Sequence, residues 1–328
     1  MFNYHLILRY IAATLASFFL ATTFAYSAAP VLKTLAITQI VSHASLDKVQ
    51  RGIVDELIGR GYQPDKTARF VFANAEGSAV VAAQIAGQFV ALHPDVIIAI
   101  ATPSAQAVAH AIAGTTIPLV FASISDPVQV KLVTHLEHPG MNITGTRNVT
   151  PMDQQIVFMQ QFLPNLKTIG IVLNYGEANS VDLLKAITDQ AKKADITVIG
   201  SAASNSADVG FATANLVGKV DAIFLLQDNT VASALPALLK VANEHKMPVF
   251  SSYVDAVTKG ALAGLAFDEY AIGRQTGKMA VAILQGAKPG DLAVEDPKDI
   301  ERMINLKTAK MLQIKVSESV MRGAKIVT

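Results

Sequence analysis

The chain has 328 residues, which is enough for two domains of ordinary size. Its 27 basic and 26 acidic residues nearly balance, and no basic run occurs, which excludes the charge footprint of a nucleic-acid-binding protein. Cysteine is absent from the sequence, so disulfides, thiolate metal sites, a cysteine nucleophile and a lipid-modified N-terminal cysteine are all excluded.

The first residues carry the pattern of an export signal. Residues 6–25 are almost all apolar or small, with Arg9 as the only formal charge, and small residues follow at 25–29. A weakly basic start, an apolar run and small residues predict a signal peptide over 1–27 and a periplasmic location. The alternative is a retained membrane anchor, because the apolar run is close to the ~18–20 residues that span a bilayer.

From residue 32 onward, short apolar runs alternate with longer helical patterns. The apolar runs predict strands at 35–41, 69–73, 95–100 and 117–122. Helices are predicted between them at 45–60, 78–92 and 104–113. Continuous apolar strands separated by helices are typical of a parallel sheet that is covered on both faces. This half of the chain therefore predicts a doubly wound α/β lobe.

The same series restarts in the second half of the chain. The predicted strands lie at 168–173, 196–199, 221–226 and 248–250, and the helices at 180–194, 208–218 and 231–245. Extended segments at 142–146, 260–265 and 304–307 are predicted to cross between the halves. The predicted fold class is α/β, with two Rossmann-like doubly wound parallel-sheet lobes joined by short hinge crossings, which suits closure about a ligand. Lobe 1 is predicted to comprise 32–144 plus 262–300, and lobe 2 to comprise 145–261 plus 301–328.

Polar loops follow the predicted strands, where ligands bind in open α/β sheets. The candidate ligand-binding residues, taken from these loops and from the joining segment, are Ser42, His43, Leu46, Thr102, Ser104, Gln106, Ser125, Asp126, Asn148, Asn174, Glu177, Asn179, Asp228, Asn229 and Asp255. For many of them the alternative role is a helix cap, because Ser, Thr, Asp and Asn are preferred N-cap residues. The convergence of several such loops predicts a cleft between facing lobes.

Two of these loops predict a clamp for a zwitterion. Thr102-Pro103-Ser104 places a proline in the first turn of a helix, whose free N–H groups and positive dipole end suit a carboxylate. Asp228, in the opposite lobe, is the predicted partner of an ammonium group, unless it serves only as the N-cap of the next helix. An amino acid carries both groups and is the predicted ligand.

The motifs of catalysis are missing or incomplete. Residues 273–279 approximate a phosphate-binding loop, but the glycine spacing is one residue short and Met279 stands where Ser or Thr would hold magnesium. That segment is predicted to be helix interior. No Gly-x-Ser-x-Gly nucleophile elbow occurs. We therefore predict a binding protein that is not an enzyme and that uses no cofactor and no metal.

Several segments, in order along nearly the whole chain after the leader, resemble a known family, the tryptophan/tyrosine-type ABC transporter substrate-binding proteins. The segments that carry the resemblance are 39–47, 126–128, 142–145, 176–180, 228–230, 260–263, 273–277 and 286–289. Some members have a lipid-anchor cysteine that this chain lacks, a difference that concerns anchoring rather than binding.

The resemblance implies a type I periplasmic-binding fold, an amino-acid-like and often aromatic ligand, and an ABC permease in the inner membrane as partner. We expect a monomer that binds no nucleic acid. The alternatives are a nucleoside or a sugar as ligand, or a sensory binding protein of the same fold that serves a receptor. The absence of Trp, the best stacking surface for a sugar, disfavours a carbohydrate ligand.

Overall fold

A computed structural model of the chain describes residues 32–149 and 151–328. The signal peptide predicted over 1–27 lies outside the described residues. Within them, no helix combines the length and the apolar composition that crossing a membrane requires.

The described chain alternates strands and helices, as the sequence predicts. The strands are β1 (Lys33–Gln39), β2 (Ala68–Asn74), β3 (Val96–Ile100), β4 (Leu119–Ile124), β5 (Ile143–Arg147), β6 (Thr168–Leu173), β7 (Thr197–Ala202), β8 (Ala222–Leu225), β9 (Val249–Ser251), β10 (Ala263–Phe267), β11 (Ile300–Asn305) and β12 (Lys325–Val327). The helices are α1 (Ala44–Gly59), α2 (Ala79–Ala91), α3 (Thr102–Ala111), α4 (Met152–Phe162), α5 (Ala178–Lys193), α6 (Val209–Ala214), α7 (Asn229–Ser233), α8 (Leu235–Glu244), α9 (Asp255–Lys259), α10 (Glu269–Leu284), α11 (Leu306–Met311) and α12 (Glu318–Met321).

Lobe 1 is built on a five-stranded parallel sheet in the order β2-β1-β3-β4-β5. Every residue of β3 is buried, as its unbroken apolar run predicts. The strand order reverses at β1, and right-handed connections therefore place α1 on one face of the sheet and α2 and α3 on the other. The loops after β1 and β3 meet at this reversal, where doubly wound sheets bind ligands.

Lobe 2 is built on a seven-stranded sheet in the order β12-β11-β10-β9-β8-β6-β7. Its pairs are parallel except that β10 and β11 run antiparallel, which the sequence analysis does not predict. Neighbouring residues of one strand enter separate cores on the two faces: Ile171 packs into one and Val172 into the other. The strand order reverses at β6, so the loops after β6 and β8 meet at the edge of this sheet.

The crossings between the lobes lie a few residues from the predicted boundaries. β5 stays in the first sheet through Arg147, whose partner is Ile124, so the boundary predicted at 144 falls inside a strand. The segment 262–267, predicted for lobe 1, instead forms β10 in the second sheet, and every residue of β10 is buried. Residues 304–307 also remain in lobe 2, in β11 and α11. The run at 262–267 is apolar because it is a core strand, not because it is a linker.

Helix α10 returns the chain to lobe 1 and packs on α1 at very short range. A Cβ added at Gly273 would lie 2.1 Å from the Val49 carbonyl oxygen, and one added at Gly52 would lie 2.3 Å from the Tyr270 carbonyl oxygen. Glycine is therefore required on both helices for this approach. Gly273 also lies inside α10, in agreement with the predicted helix interior at 273–279.

Candidate ligand-binding site

A cavity lies between the two lobes, at the ends of the strands where both sheets reverse their order. Lobe 1 lines the cavity with the starts of α1 and α3 and the end of β4, and lobe 2 lines it with residues around α5, α7 and Tyr253.

About half of the predicted site residues line this cavity. They are His43, Leu46, Thr102, Ser125, Asn148, Asn179, Asp228 and Asn229. Thr102 and Asp228, the two halves of the predicted clamp, thus border the same space from opposite lobes. The ligand contacts of these residues remain predictions.

The other predicted residues do not line the cavity, and most of them have protein partners instead. They are Ser42, Ser104, Gln106, Asp126, Asn174, Glu177 and Asp255. The Ser42 hydroxyl donates to Asp47, and the Gln106 amide donates to the Val130 carbonyl oxygen. Asp126 accepts from the backbone N–H groups of its own turn.

The remaining residues of this group make hydrogen bonds within their own lobe, or between the two lobes, or are buried. The Glu177 carboxylate accepts hydrogen bonds from Asn229 and Thr230 at the start of α7. Asn174 supports Asp228 through its backbone N–H. Asp255 accepts from Lys48 of lobe 1, and Ser104 is buried within the first turn of α3.

The cavity has further lining residues that are missing from the predicted set. They are Ser45, Ala101, Ser123, Gln227, Ala232, Tyr253 and Glu269. Ser45, Ser123, Gln227 and Tyr253 lie in the polar segments that follow the predicted strands 35–41, 117–122, 221–226 and 248–250. Glu269 follows β10, and the same rule would have found it if 262–267 had been interpreted as a core strand.

Several buried polar atoms of the lining residues have no hydrogen-bond partner among the described residues. These atoms are Ser45 Oγ, Ser125 Oγ, Asn148 Oδ1, Asn179 Oδ1, Gln227 Nε2 and Tyr253 OH. Buried polar groups are nearly always hydrogen-bonded, so such a set at one cavity indicates a polar ligand. The set includes donors and acceptors from both lobes.

The starts of α1 and α3 present backbone donors to the cavity. The N-cap residues of these helices, His43 and Ala101, make no side-chain capping hydrogen bond within the described chain. Their first turns contribute Ser45 and Thr102 to the lining. Ala101 has a φ of 70°, a strained value for a residue with a Cβ, and such strain is concentrated at functional sites. Two helix N-termini with free N–H groups suit an anion.

Two buried carboxyl groups line the cavity, Asp228 and Glu269. Burial and the nearby Glu177 carboxylate raise the pKa of Asp228 above its ordinary value, against the effect of its hydrogen-bond donors. Burial raises the pKa of Glu269 to about 7, against the effect of the Asn148 amide. His43 also lines the cavity. Burial lowers the pKa of its imidazole and so favours the neutral form of the ring.

Two polar contacts near the cavity join the lobes. Lys48 Nζ on α1 donates to Asp255 Oδ1 of lobe 2 at 2.5 Å. His43 Nε2 lies 3.5 Å from Asn229 Oδ1. Among residues 32–149 and 151–328, no three metal-ligating side chains are grouped as a metal site would require. The arrangement is suited to enclosing a small polar molecule.

The sequence matches the family described as ABC transporter substrate binding proteins over residues 34–328. This chain belongs to that family. Its members are binding proteins rather than enzymes, which confirms the prediction that the chain is not an enzyme. As an ABC substrate-binding protein, the chain acts outside the cytoplasm and has a small-molecule ligand and an ABC transporter as partners.

Known proteins similar to this ABC substrate-binding protein have related ligands. A tyrosine-binding protein of Clostridioides difficile is 36% identical over 282 residues, which cover 86% of this chain and 81% of the relative. The solved structure of an ABC domain in complex with L-Trp from Streptococcus pneumonia is 35% identical, with a TM-score of 0.87. The alignment covers 91% of this chain and 100% of that domain.

A further solved structure shows how the two lobes can be arranged differently. The ligand-free, open structure of a Clostridium difficile substrate binding protein is 34% identical, and the match covers 90% of this chain and 99% of that one. Its TM-score is only 0.67, although the identity is almost the same as that of the L-Trp complex. The ABC substrate-binding protein described here therefore resembles the ligand complex more than the open form. The predicted fold class, two mainly parallel-sheet lobes, is confirmed.

Proposed function

We propose that this protein captures an aromatic L-amino acid between its lobes and delivers it to an ABC permease in the inner membrane. The observation that carries the proposal is the set of unpartnered, buried polar atoms from both lobes at one interlobe cavity. We place the protein in the periplasm, as a monomer released from its signal peptide.

The ligand class is supported by the two relatives with stated ligands. One is named for tyrosine and the other is in complex with L-Trp. These ligands share a zwitterionic main-chain group and a planar aromatic side chain.

The chemistry of the lining matches the two ends of such a ligand. A carboxylate is stabilised by the free N–H groups at the starts of α1 and α3, together with the hydroxyls of Ser45 and Thr102. An ammonium group is stabilised by a buried carboxylate. Leu46 and the ring of Tyr253 offer apolar surface to the side chain, while the Tyr253 hydroxyl, whose pKa burial raises, remains a donor.

Binding works by closure of the lobes. Each lobe contributes part of the lining, so a ligand makes its full set of contacts only when the lobes are together. The Lys48–Asp255 ion pair and the greater likeness to a ligand complex than to an open form support this mechanism.

Thermal shift and titration calorimetry against the common amino acids test the proposal. Ligand at a hundredfold excess over Kd should add about 2.7 kcal/mol to the free energy of unfolding, so L-tyrosine or L-tryptophan should raise Tm by several degrees. Mass spectrometry of material released from the denatured protein should recover the ligand unaltered. A flat response to all amino acids with a clear response to a sugar or a nucleoside would contradict the ligand class.

A variant with a filled cavity provides the control. Ala232 lines the cavity, and Ala232→Trp should abolish the response to aromatic amino acids while the circular dichroism spectrum is retained. Ala83 lies exposed on α2, away from the cavity, and Ala83→Trp should bind like wild type. Equal binding by both variants would show that the ligand lies elsewhere.

A further inference from the structure

The two buried carboxylates of the cavity differ in how many donors they already have. Asp228 accepts from the Val231 N–H at 2.8 Å through Oδ1, and from the Asn174 N–H at 2.6 Å and the Ser180 hydroxyl at 2.7 Å through Oδ2. These three donors belong to lobe 2 and make Asp228 the N-cap of α7. The hydrogen bonds of the Asp228 carboxylate are therefore made within lobe 2.

Glu269 has only one donor among the described residues. Asn148 Nδ2 contacts both of its oxygens, at 3.0 Å and 3.1 Å. An ionised carboxylate has about four lone-pair sites, so most of the accepting capacity of Glu269 is free. The residue is only 4% exposed, so it has little contact with bulk solvent.

No side-chain cation of the described residues forms an ion pair with Glu269. Asp255 and Asp268 raise its pKa by repulsion, while Lys48 lowers it. Lys48, however, donates its hydrogen bond to Asp255. No arginine or lysine lines the cavity in the part of the chain that the structure describes. A ligand cation is the group that would complete this environment.

The position of Glu269 in the fold connects it to lobe movement. β5 ends at Arg147 and β10 ends at Phe267, so Asn148 and Glu269 lie at two crossings between the lobes. A cation bound to Glu269 would contact the hinge region itself, whereas one bound to Asp228 would contact lobe 2.

From these contacts we infer that Glu269, rather than Asp228, accepts the ammonium group of the ligand. This inference rests on the proposed function and refines it: the ligand must carry a free amino group, and the hinge carboxylate selects for that group. Asp228 lines the lobe 2 wall of the cavity and caps the start of α7.

The test compares L-tryptophan with its des-amino analogue, indole-3-propionate, by calorimetry. Glu269→Gln keeps the side-chain size and removes the charge, and Asp228→Asn is the matched variant. In Glu269→Gln, binding of L-tryptophan should weaken about thirtyfold or more, the fold-change that corresponds to losing one partner of a buried charge pair. Binding of indole-3-propionate should change little, so the preference for the amino group should collapse. Asp228→Asn should keep that preference.

The two variants distinguish Glu269 from Asp228 as the residue that binds the ammonium group. Retained preference in Glu269→Gln, or its collapse in Asp228→Asn alone, overturns the assignment while the proposed function stands. Wild-type protein that binds neither L-tryptophan nor L-tyrosine overturns the proposed function, and the assignment with it.

A measurement on wild type covers the case in which a variant does not fold. Calorimetry near pH 7 in buffers of different ionisation enthalpy should detect proton release on binding of L-tryptophan, because the ammonium group favours ionised Glu269. Burial also raises the pKa of Asp228 to about 7, so the release must persist in Asp228→Asn to be assigned to Glu269. Binding of indole-3-propionate should release none. Equal proton release with both probes overturns the inference.

Discussion

The closest helix packing in the described chain allows a sharp prediction, because Gly273→Ala adds a single carbon at a backbone contact. The new Cβ would lie 2.1 Å from the Val49 carbonyl oxygen and 2.9 Å from its carbon. Both atoms belong to the backbone of α1, which has no rotamer to change. The helices must therefore separate, and the core of lobe 1 that they cover must loosen.

The magnitude follows from two opposing effects. Overpacking of a well-packed core costs about 1–3 kcal/mol, and a clash with backbone belongs at the upper end. Alanine is a better helix former than glycine, which offsets about 0.5–1 kcal/mol of that cost. The free energy of unfolding should therefore fall by about 2 kcal/mol.

Gly87 provides the matched control, because it lies exposed inside α2 with no atom within 4 Å of an added Cβ. Gly87→Ala should raise the free energy of unfolding by about 0.5–1 kcal/mol through helix propensity alone. Urea unfolding followed by circular dichroism measures both variants. The reasoning is refuted if Gly273→Ala is as stable as wild type, or if both substitutions shift stability in the same direction.

Two further predictions concern pH and lobe closure. The folded pKa of Glu269, about 7, exceeds its ordinary value of 4.5, so the folded state binds more protons between these values. The stability of the unliganded protein should therefore fall as pH rises from about 5 to about 8, as urea midpoints would show. Glu269→Gln should reduce that slope, and the remainder is due to Asp228, whose pKa burial also raises to about 7. Lys48→Met should favour the open arrangement and weaken ligand binding about threefold to tenfold, because it breaks the only side-chain ion pair between the lobes among the described residues. Lys185→Met, which removes an exposed pair within α5, is the control and should leave Kd unchanged; equal effects in calorimetry would count against the closure mechanism.

The sequence by itself determined the α/β class and much of the site. Unbroken apolar runs such as β3 predict buried parallel strands, since a strand covered on both faces has no polar side to show. Ligands bind beyond the carboxyl ends of such strands, and this rule placed Thr102 and Asp228 at one cavity from opposite lobes. Local pattern is sufficient for these conclusions because buried strands and helix starts each have a recognisable pattern within a short segment.

Pairing between distant strands was decided only in the tertiary structure. The run at 262–267 is apolar in either sheet, so its composition does not reveal that β10 pairs with β9 and β11 in lobe 2. Glu269 was not predicted for the same reason: a residue is expected at the cleft only when the strand before it has been assigned to a sheet. The reversal of β11 likewise depends on a register that no single segment encodes.

The different roles of Asp228 and Glu269 depend on contacts between residues that are far apart in the sequence. Asp228 receives its donors from Asn174 and Ser180, whereas Glu269 receives its single donor from Asn148, far away in sequence. Both are acidic residues near the start of a helix, and from the sequence a capping role is an alternative for Asp228 only. Which of them keeps free lone pairs at the cavity follows from where the fold brings other donors, and that is decided only when the lobes and their crossings are packed.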